Sequence, residues 1–239
     1  MHHVILDRWS QGSSFLHSLD PRSKIVALLV FLITLSTTPG DAFLALGLDA
    51  ALLIAGVLAA GLPLGSLLRR ALLVVPFSLT FAIFSYLAGD HVRAVALVEK
   101  SYLSAMAVLL IAGTTPLPLL LHGLQSLGIP RLFILIVQFL YRYLFVISEQ
   151  AQHMRVAAAC RRGSGNRRES GFRPAAGAVS VLFARSFARA EGIHRAMLAR
   201  GFSGRFRTAR ALCFGLPDAA FAVATSALII GVRESWRLL

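Results

Sequence analysis

The sequence predicts an all-α fold, a polytopic membrane helix bundle of about five spans with long basic helices outside the bilayer. Composition is the first observation behind this prediction. Hydrophobic residues make up 56% of the 239 residues and charged residues only 15%, against about 25% charged residues in a typical soluble domain. The mean hydropathy is +0.71. These values exclude a disordered chain, a disulfide-stapled domain and an ordinary water-soluble enzyme.

Long stretches without basic residues predict the individual spans. Residues 25–68 contain no Lys or Arg, and at about 1.5 Å per residue they can cross a bilayer core of about 30 Å twice. Pro39 and Gly40 break this stretch into two spans. Pro76 predicts a kink in the third span. In chain order we predict spans over Lys24–Thr38, Ala42–Leu62, Ala71–Gly89, Val95–Thr115 and Ala211–Val232. Residues 1–20 lack the apolar segment of a signal peptide, so we expect the first span to be retained.

Basic residues set the expected orientation. Arg8, Arg22 and Lys24 precede the first predicted span, and Arg69 and Arg70 follow the second, whereas the turn between these spans has no basic residue. Because Lys and Arg are enriched in cytoplasmic loops, we expect the N-terminus to be cytoplasmic. After four crossings the chain returns to that side, so the helices that follow are expected there too.

We predict three regions along the chain. Residues 1–115 form a bundle of four spans, residues 116–208 form cytoplasmic or interfacial helices, and residues 209–239 contain the last span and the tail. Residues 131–148 are interpreted as the buried start of a long helix that continues to Arg162, with a sixth span as the alternative. Asp218 follows Pro217 and is interpreted as a helix start rather than a functional intramembrane charge.

One internal segment carries most of the positive charge. Residues 149–210 contain 13 arginines and three glutamates, which gives +10 of the net charge of +13. Because acidic residues are scarce here, we expect an acidic or carboxylate-rich partner surface. Two helices are predicted, separated by a loop at 162–173. Apolar residues at helical spacing predict one packing face on the second helix, formed by Val179, Phe183, Phe187, Ala190, His194 and Met197.

The two helices have similar endings, 38 residues apart in the sequence. Glycine readily ends a helix in a left-handed cap, and arginine on the last turn is favoured by the helix dipole. For a single ending, a helix cap alone is as good an explanation as an arginine presented to a partner. Two copies in a strongly basic segment favour a second role, in which the arginines are presented to a partner. The endings comprise Ala158, Arg161, Arg162 and Gly163 in the first helix and Ala196, Ala199, Arg200 and Gly201 in the second.

With these motifs the chain resembles the transmembrane (T) component of energy-coupling factor transporters, the CbiQ/EcfT family. The resemblance runs along nearly the whole chain and includes Ser14–Lys24, Leu127–Pro130 and Tyr141–Phe145. It is strongest in the two endings, which are similar to the paired Ala-Arg-Gly motifs of the family. The second copy fits fully, whereas the first has Arg161 where alanine is usual.

The resemblance implies a non-catalytic subunit of an ATP-driven importer in the cell (inner) membrane. Its long coupling helices would dock Arg162 and Arg200 into grooves of two ABC-type ATPase subunits, which bind the ATP. They would pass the ATPase motion to a small substrate-binding membrane subunit, and the packing face would contact that subunit or the other coupling helix. Tyr141–Gly163 and Arg195–Phe202 most resemble the cobalt/nickel branch. A vitamin importer and a stand-alone secondary transporter are the alternatives.

We expect no catalytic residue, no cofactor and no metal site in this chain. It contains no Walker A, His-Glu-x-x-His or Gly-x-Ser-x-Gly motif. Its seven histidines are scattered, and only His2 and His3 are adjacent, too few ligands for a transition-metal site. We expect no nucleic-acid partner, because Phe183 and Phe187 fall on the predicted packing face rather than between the arginines.

Overall fold

The computed structural model describes residues 9, 12, 14–162, 172–203 and 214–237. Every regular element in these residues is helical, which confirms the predicted all-α polytopic bundle. In chain order the helices are α1 (Phe15–Ser18), α2 (Pro21–Thr37), α3 (Phe43–Ala60), α4 (Leu64–Ala71), α5 (Val75–Leu87), α6 (His91–Thr114), α7 (Leu117–Ser126), α8 (Arg131–Arg162), α9 (Phe172–Ala199) and α10 (Leu216–Arg237).

Capping residues, glycine and proline set the helix boundaries in the membrane bundle. The Asp90 carboxylate accepts a hydrogen bond from the backbone N–H of Arg93 at 3.0 Å and so caps α6. Gly61 ends α3 with φ of 67°, a left-handed conformation that favours glycine. A 3₁₀ turn, Leu72–Val74, separates α4 from α5, and Pro76 follows it in the first turn of α5. Because proline has no N–H to donate to an earlier carbonyl, the helix is interrupted here, as predicted.

Among the described residues, five helices are long and apolar enough to cross a membrane: Phe43–Ala60, Leu64–Leu87, His91–Thr114, Arg131–Cys160 and Leu216–Glu234. Four of them correspond to the second, third, fourth and last predicted spans. The first predicted span corresponds to α2, whose 17 residues give about 25 Å of helix, less than a bilayer core of about 30 Å. Arg131–Cys160 contains the stretch that the sequence leaves open between a coupling helix and a sixth span.

The chain divides into two compact units, and the first comprises residues 1–129 and 212–239. Its apolar core contains Leu35, Leu46, Val57 and Met106, each at most 2% exposed. Helix α2 packs against α6, α7 and α10. The first unit therefore brings together the start and the end of the chain.

The second unit comprises residues 130–211, and its described helices are α8 and α9. The two helices have 32 and 28 residues, which gives lengths of about 48 and 42 Å. They pack against each other, but Ile134 is the only buried residue in the described part of this unit. Most of the surface of these long helices is therefore uncovered.

Candidate functional site

The C-terminal end of α9 forms a complete glycine cap. Gly201 has φ of 73°, and its backbone N–H donates to the carbonyl of Leu198 at 2.9 Å. The N–H of Phe202 donates to the carbonyl of Met197 at 3.0 Å. These two hydrogen bonds define a Schellman motif, which satisfies carbonyls that would otherwise lack a partner at the helix end. The glycine is required by its backbone conformation, since a Cβ there would contact nothing within 4 Å.

Arg200 lies immediately before this cap and is exposed. Its backbone N–H donates to the carbonyls of Ala196 and Met197, at 3.2 and 3.1 Å. Ala196 and Ala199 are also exposed, and their short side chains leave the guanidinium group uncovered. The helix dipole favours a positive charge at this end. The ending of α9 is therefore a rigid tip that presents one arginine.

The ending of α8 is described in part. The helix continues to Arg162, and Ala158 is exposed on its last turns. The backbone of Arg161 and Arg162 is helical, while their side chains and the whole of Gly163 lie outside the described residues. The three-dimensional structure of the ending is therefore described in full for the second helix, α9, and not for α8.

An apolar groove of about 530 Å³ runs between α8 and α9. Its α8 wall includes Phe139, Tyr143 and Ile147, and its α9 wall includes Ile193 and Met197. Phe202, which follows the glycine cap, lines the same groove. Three residues of the predicted packing face, Ala190, His194 and Met197, line this groove.

The other three residues of the predicted packing face are exposed. Val179, Phe183 and Phe187 are 66%, 71% and 64% exposed. Nearby residues that are more covered, Leu182 and Ser186 among them, lie on the adjacent face of the helix. We call Val179, Phe183 and Phe187 the phenylalanine stripe. Of the two contacts expected for the packing face, the one with the other coupling helix is therefore not made by the phenylalanine stripe.

The arginines of α9 lie apart from the phenylalanine stripe. Arg185 and Arg189 follow Phe183 and Phe187 by two residues, a spacing at which helical side chains do not face each other. The rings and the guanidinium groups therefore do not alternate on one surface, as binding of single-stranded nucleic acid requires. Arg195 forms an exposed ion pair with Glu191 at 3.1 Å, which reduces the free positive charge on that side.

A buried polar cluster in the first unit is not predicted by the sequence. Asp20 and Lys24, at the start of α2, are 6% and 3% exposed, and Asp218, in the first turn of α10, is 7% exposed. The Asp218 carboxylate accepts from the backbone N–H of Gly215 at 2.9 Å, in agreement with the helix-start interpretation. It also accepts from the N–H of Asp20 at 2.7 Å. Asp-Pro and Pro-Asp pairs mark both helix starts in the sequence, but no sequence pattern joins them.

Comparison with known protein families identifies the family of this chain. The model of the CbiQ family, described as cobalt transport protein, matches residues 12–209. The chain belongs to the CbiQ family. The matched residues include α8, α9 and both arginine endings, and they stop before α10. The five apolar helices fit a multi-pass membrane protein of this transport family.

Individual relatives of this CbiQ-family chain share modest identity with it. It is 31% identical over 115 residues to the cobalt transport protein CbiQ of Rhodobacter capsulatus, which covers 48% of this chain and 47% of the relative. Two uncharacterized proteins of Methanocaldococcus jannaschii also match. MJ1089 is 26% identical over 42% of this chain and 37% of its own length. MJ1571 is 21% identical over 85% of this chain and 77% of its own length. The first two matches thus span half or less of each relative.

Possible metal ligands in this CbiQ-family chain are dispersed. In the part of the chain that the structure describes, no group of three or more His, Cys, Asp or Glu side chains is placed to hold a metal ion. His153 pairs with Glu149 at 3.8 Å on the exposed surface of α8, and His194 lines the groove between α8 and α9. His2 and His3 lie outside the described residues.

Proposed function

We propose that this chain is the transmembrane coupling subunit of an energy-coupling factor importer in the cell (inner) membrane. Helices α8 and α9 are the coupling helices. Helix α8 starts within the membrane at residues 131–148, and its end lies with α9 and the N-terminus on the cytoplasmic side. They bind two ABC-type ATPase subunits and a small substrate-binding membrane subunit, and they transmit motion from the former to the latter. The cargo is a cobalt or nickel ion, in line with the description of the family as cobalt transport protein.

The tip of α9 is the observation that carries this proposal. Arg200 is exposed on the last turn, and a guanidinium group can form paired hydrogen bonds with a carboxylate. Gly201 has no side chain, so the wall of a receiving groove can approach its backbone closely. An acidic groove on an ATPase subunit would therefore accept this tip. Arg162, at the end of α8, would dock into the second ATPase in the same way.

The continuity of α9 suits it to transmit a displacement. The helix spans 28 residues, Phe172–Ala199, and contains no proline after Pro174 in its first turn. Because an uninterrupted ladder of backbone hydrogen bonds resists bending, a shift imposed at Arg200 moves the helix as one body. This is the mechanical property that a coupling helix needs.

The phenylalanine stripe supports a second binding partner. Large exposed apolar patches on a protein commonly mark sites of interaction with other proteins. Phe187 and Phe183 lie about three and a half and about five helical turns before the tip at Arg200, so one helix can bind two partners at separate positions. We assign the tip to an ATPase and the stripe to the substrate-binding subunit.

Charge reversal at both tips tests this proposal. The chain is co-expressed with the two ATPases and the substrate-binding protein of the proposed importer, and the complex is purified in detergent through a tag on this chain. Arg162→Glu combined with Arg200→Glu is expected to abolish co-purification of the ATPases, because each glutamate would face an acidic groove. Disruption of a buried charged contact costs about 2–5 kcal/mol of binding free energy per site.

The matched control is Arg155→Glu combined with Arg185→Glu. Both arginines are exposed on the same two helices but away from the ends, so this variant makes the same change in net charge and is expected to retain both ATPases. Retention of the ATPases by the tip variant would show that the docking assignment is wrong. Uptake of Co²⁺ into vesicles by this chain alone would instead identify a stand-alone secondary transporter.

A further inference from the structure

The turn Asp20–Lys24 at the start of α2 is buried although it is strongly polar. Asp20 and Lys24 are 6% and 3% exposed, and Ser23 is 1% exposed. Within the turn, the Asp20 carboxylate accepts from the backbone N–H of Arg22 at 2.9 Å, and the Ser23 hydroxyl donates to the Asp20 carbonyl at 2.7 Å. Charged side chains are rarely buried to this extent unless they are paired. Asp20 has a partner within the turn, since its carboxylate lies 3.9 Å from Nε of Arg22, whereas Lys24 finds its partners elsewhere in the chain.

The end of α6 is the first of these partners. The Lys24 ammonium group donates to the carbonyl of Thr114 at 3.3 Å and to the hydroxyl of Thr115 at 3.0 Å. Both threonines are almost fully buried, at 1% and 2% exposure. They end α6, and only α7 separates them from the start of α8 at Arg131. Lys24 thus fixes the chain shortly before it enters the second unit.

The same turn also holds α7. A Cβ added to Gly123 would lie 3.1 Å from Cδ1 of Ile25 and 3.2 Å from Cβ of Pro21. These separations are too short for an ordinary side chain to fit without movement of its neighbours. Helix α7 therefore crosses the start of α2 at a distance that glycine permits. The start of α2 thus contacts the chain both before and after the connection between α6 and α7.

The start of α10 is the second partner. The Asp218 carboxylate joins the N–H of Asp20 to the N–H of Gly215, at 2.7 and 2.9 Å. Helix α10 follows the second unit in the chain, since that unit ends at residue 211. One cluster thus holds the chain both where it leaves for the second unit and where it returns.

We propose that Asp20, Lys24 and Asp218 are positioning residues for energy coupling, which anchor both ends of the coupling helices to the membrane bundle. This proposal rests on the proposed function. A displacement of the coupling helices reaches the first unit through the covalent connections at residues 129–130 and 211–212. Firmly held connections transmit that displacement, whereas loose connections absorb it. The three residues act through this attachment and not by contact with ATP or cargo.

The ratio of transport to ATP hydrolysis tests the anchor. The complex of this chain with its ATPases and substrate-binding subunit is reconstituted in liposomes, and Co²⁺ uptake and ATP hydrolysis are measured in the same preparation. With Asp218→Ala, the ATPases are expected to stay bound and active while Co²⁺ uptake per ATP falls about fivefold or more. A wild-type ratio would overturn the anchor and leave the proposed function intact. Absence of the ATPases from the wild-type complex would overturn both.

Asp49→Ala is the matched control for this experiment. Asp49 is 4% exposed in α3 of the same unit, but it lies at neither connection, so its variant is expected to keep the wild-type ratio. A reduced ratio in the control as well would overturn the anchor, because any buried carboxylate of the bundle would then have the same effect.

A second variant keeps the test decisive if Asp218→Ala does not assemble. Lys24→Met combined with Asp218→Asn removes one charge of each sign, and loss of both costs less than one unpaired buried charge. This variant is expected to restore assembly but not the uptake ratio. A normal ratio, or a second failure to assemble, would overturn the anchor and assign the cluster to folding alone.

Discussion

The two units of this chain differ in how far their charged and apolar side chains are buried. In the first unit, Lys24 and Asp218 are buried and hydrogen-bonded within the chain, and Phe31 lies in a continuous core at 4% exposure. In the second unit, Arg200 is exposed at a helix end, and Phe183 is 71% exposed. The first unit also exposes apolar residues, such as Phe77 at 71% and Phe84 at 72%. It nevertheless has a covered core, whereas the described part of the second unit has almost none.

This difference indicates how the two units are stabilised. The first unit packs an apolar core with its own residues. It also hydrogen-bonds Lys24 and Asp218 within the bundle, although Asp20 Oδ2, Arg22 Nε and His122 Nδ1 have no hydrogen-bond partner among the described residues. The described part of the second unit has one buried residue, Ile134, so its own contacts contribute little. Its exposed rings and guanidinium groups are available to other proteins. The comparison therefore supports a membrane bundle that carries two helices whose exposed surfaces can bind other proteins.

Matched phenylalanine substitutions give the largest expected contrast between the units. Phe31→Ala leaves a cavity in the core of the first unit and is expected to lower the free energy of unfolding by about 3 kcal/mol. Phe183→Ala removes an exposed ring, so we expect a change within about 0.5 kcal/mol. Denaturant unfolding of the isolated chain, carried out for both variants in the same detergent, measures the two changes in the free energy of unfolding. Equal destabilisation by the two substitutions would mean that Phe183 has a partner within the chain.

Removal of the phenylalanine stripe is expected to have a smaller effect, confined to binding. Phe183→Ser combined with Phe187→Ser should weaken the substrate-binding subunit by about tenfold or more, since large apolar anchors dominate interfaces. ATPase binding should not change. Val181→Ser is the control, because Val181 is 44% exposed on the same helix but two residues from the stripe position 183. Titration of the complex in detergent measures both affinities. An equal effect of Val181→Ser would show that the stripe does not form the interface.

Two glycines of α9 give the smallest expected effect. Gly201→Ala forces a left-handed conformation on alanine, which costs about 1 kcal/mol. Gly177 lies in the helix, and a Cβ there would contact nothing within 4 Å, so Gly177→Ala should stabilise the helix by up to about 1 kcal/mol. Hydrogen exchange of amides along α9 detects both changes. Faster exchange near residue 200 is expected for the first and slower exchange for the second, and the same sign for both would contradict the cap.

The sequence predicts the local features of this protein well. Span boundaries follow from runs without charge and from breaks such as Pro39 and Gly40, because these patterns act within one or two helical turns. The cap at Gly201 follows from an Arg-Gly ending for the same reason. The first predicted span, Lys24–Thr38, lies within one turn of α2 at both ends.

Contacts between distant parts of the chain could not be predicted. Asp20 and Asp218 are 198 residues apart, and no periodicity links an aspartate at one helix start to a backbone N–H at another. The periodicity of α9 identifies apolar residues but not their partners. Ala190 and Met197 line the groove with α8, whereas Val179, about two turns before the first α9 residue of the groove, remains exposed.

The central claim is that Arg200 docks into an ATPase subunit. The most direct measurement is the affinity of the purified ATPase pair for the detergent-solubilised chain that carries Arg200→Glu alone, compared with Arg185→Glu on the same helix. We predict a Kd about thirtyfold weaker or more for Arg200→Glu, equivalent to about 2 kcal/mol, and an unchanged Kd for Arg185→Glu. Equal affinities for the two variants would contradict the docking of this tip.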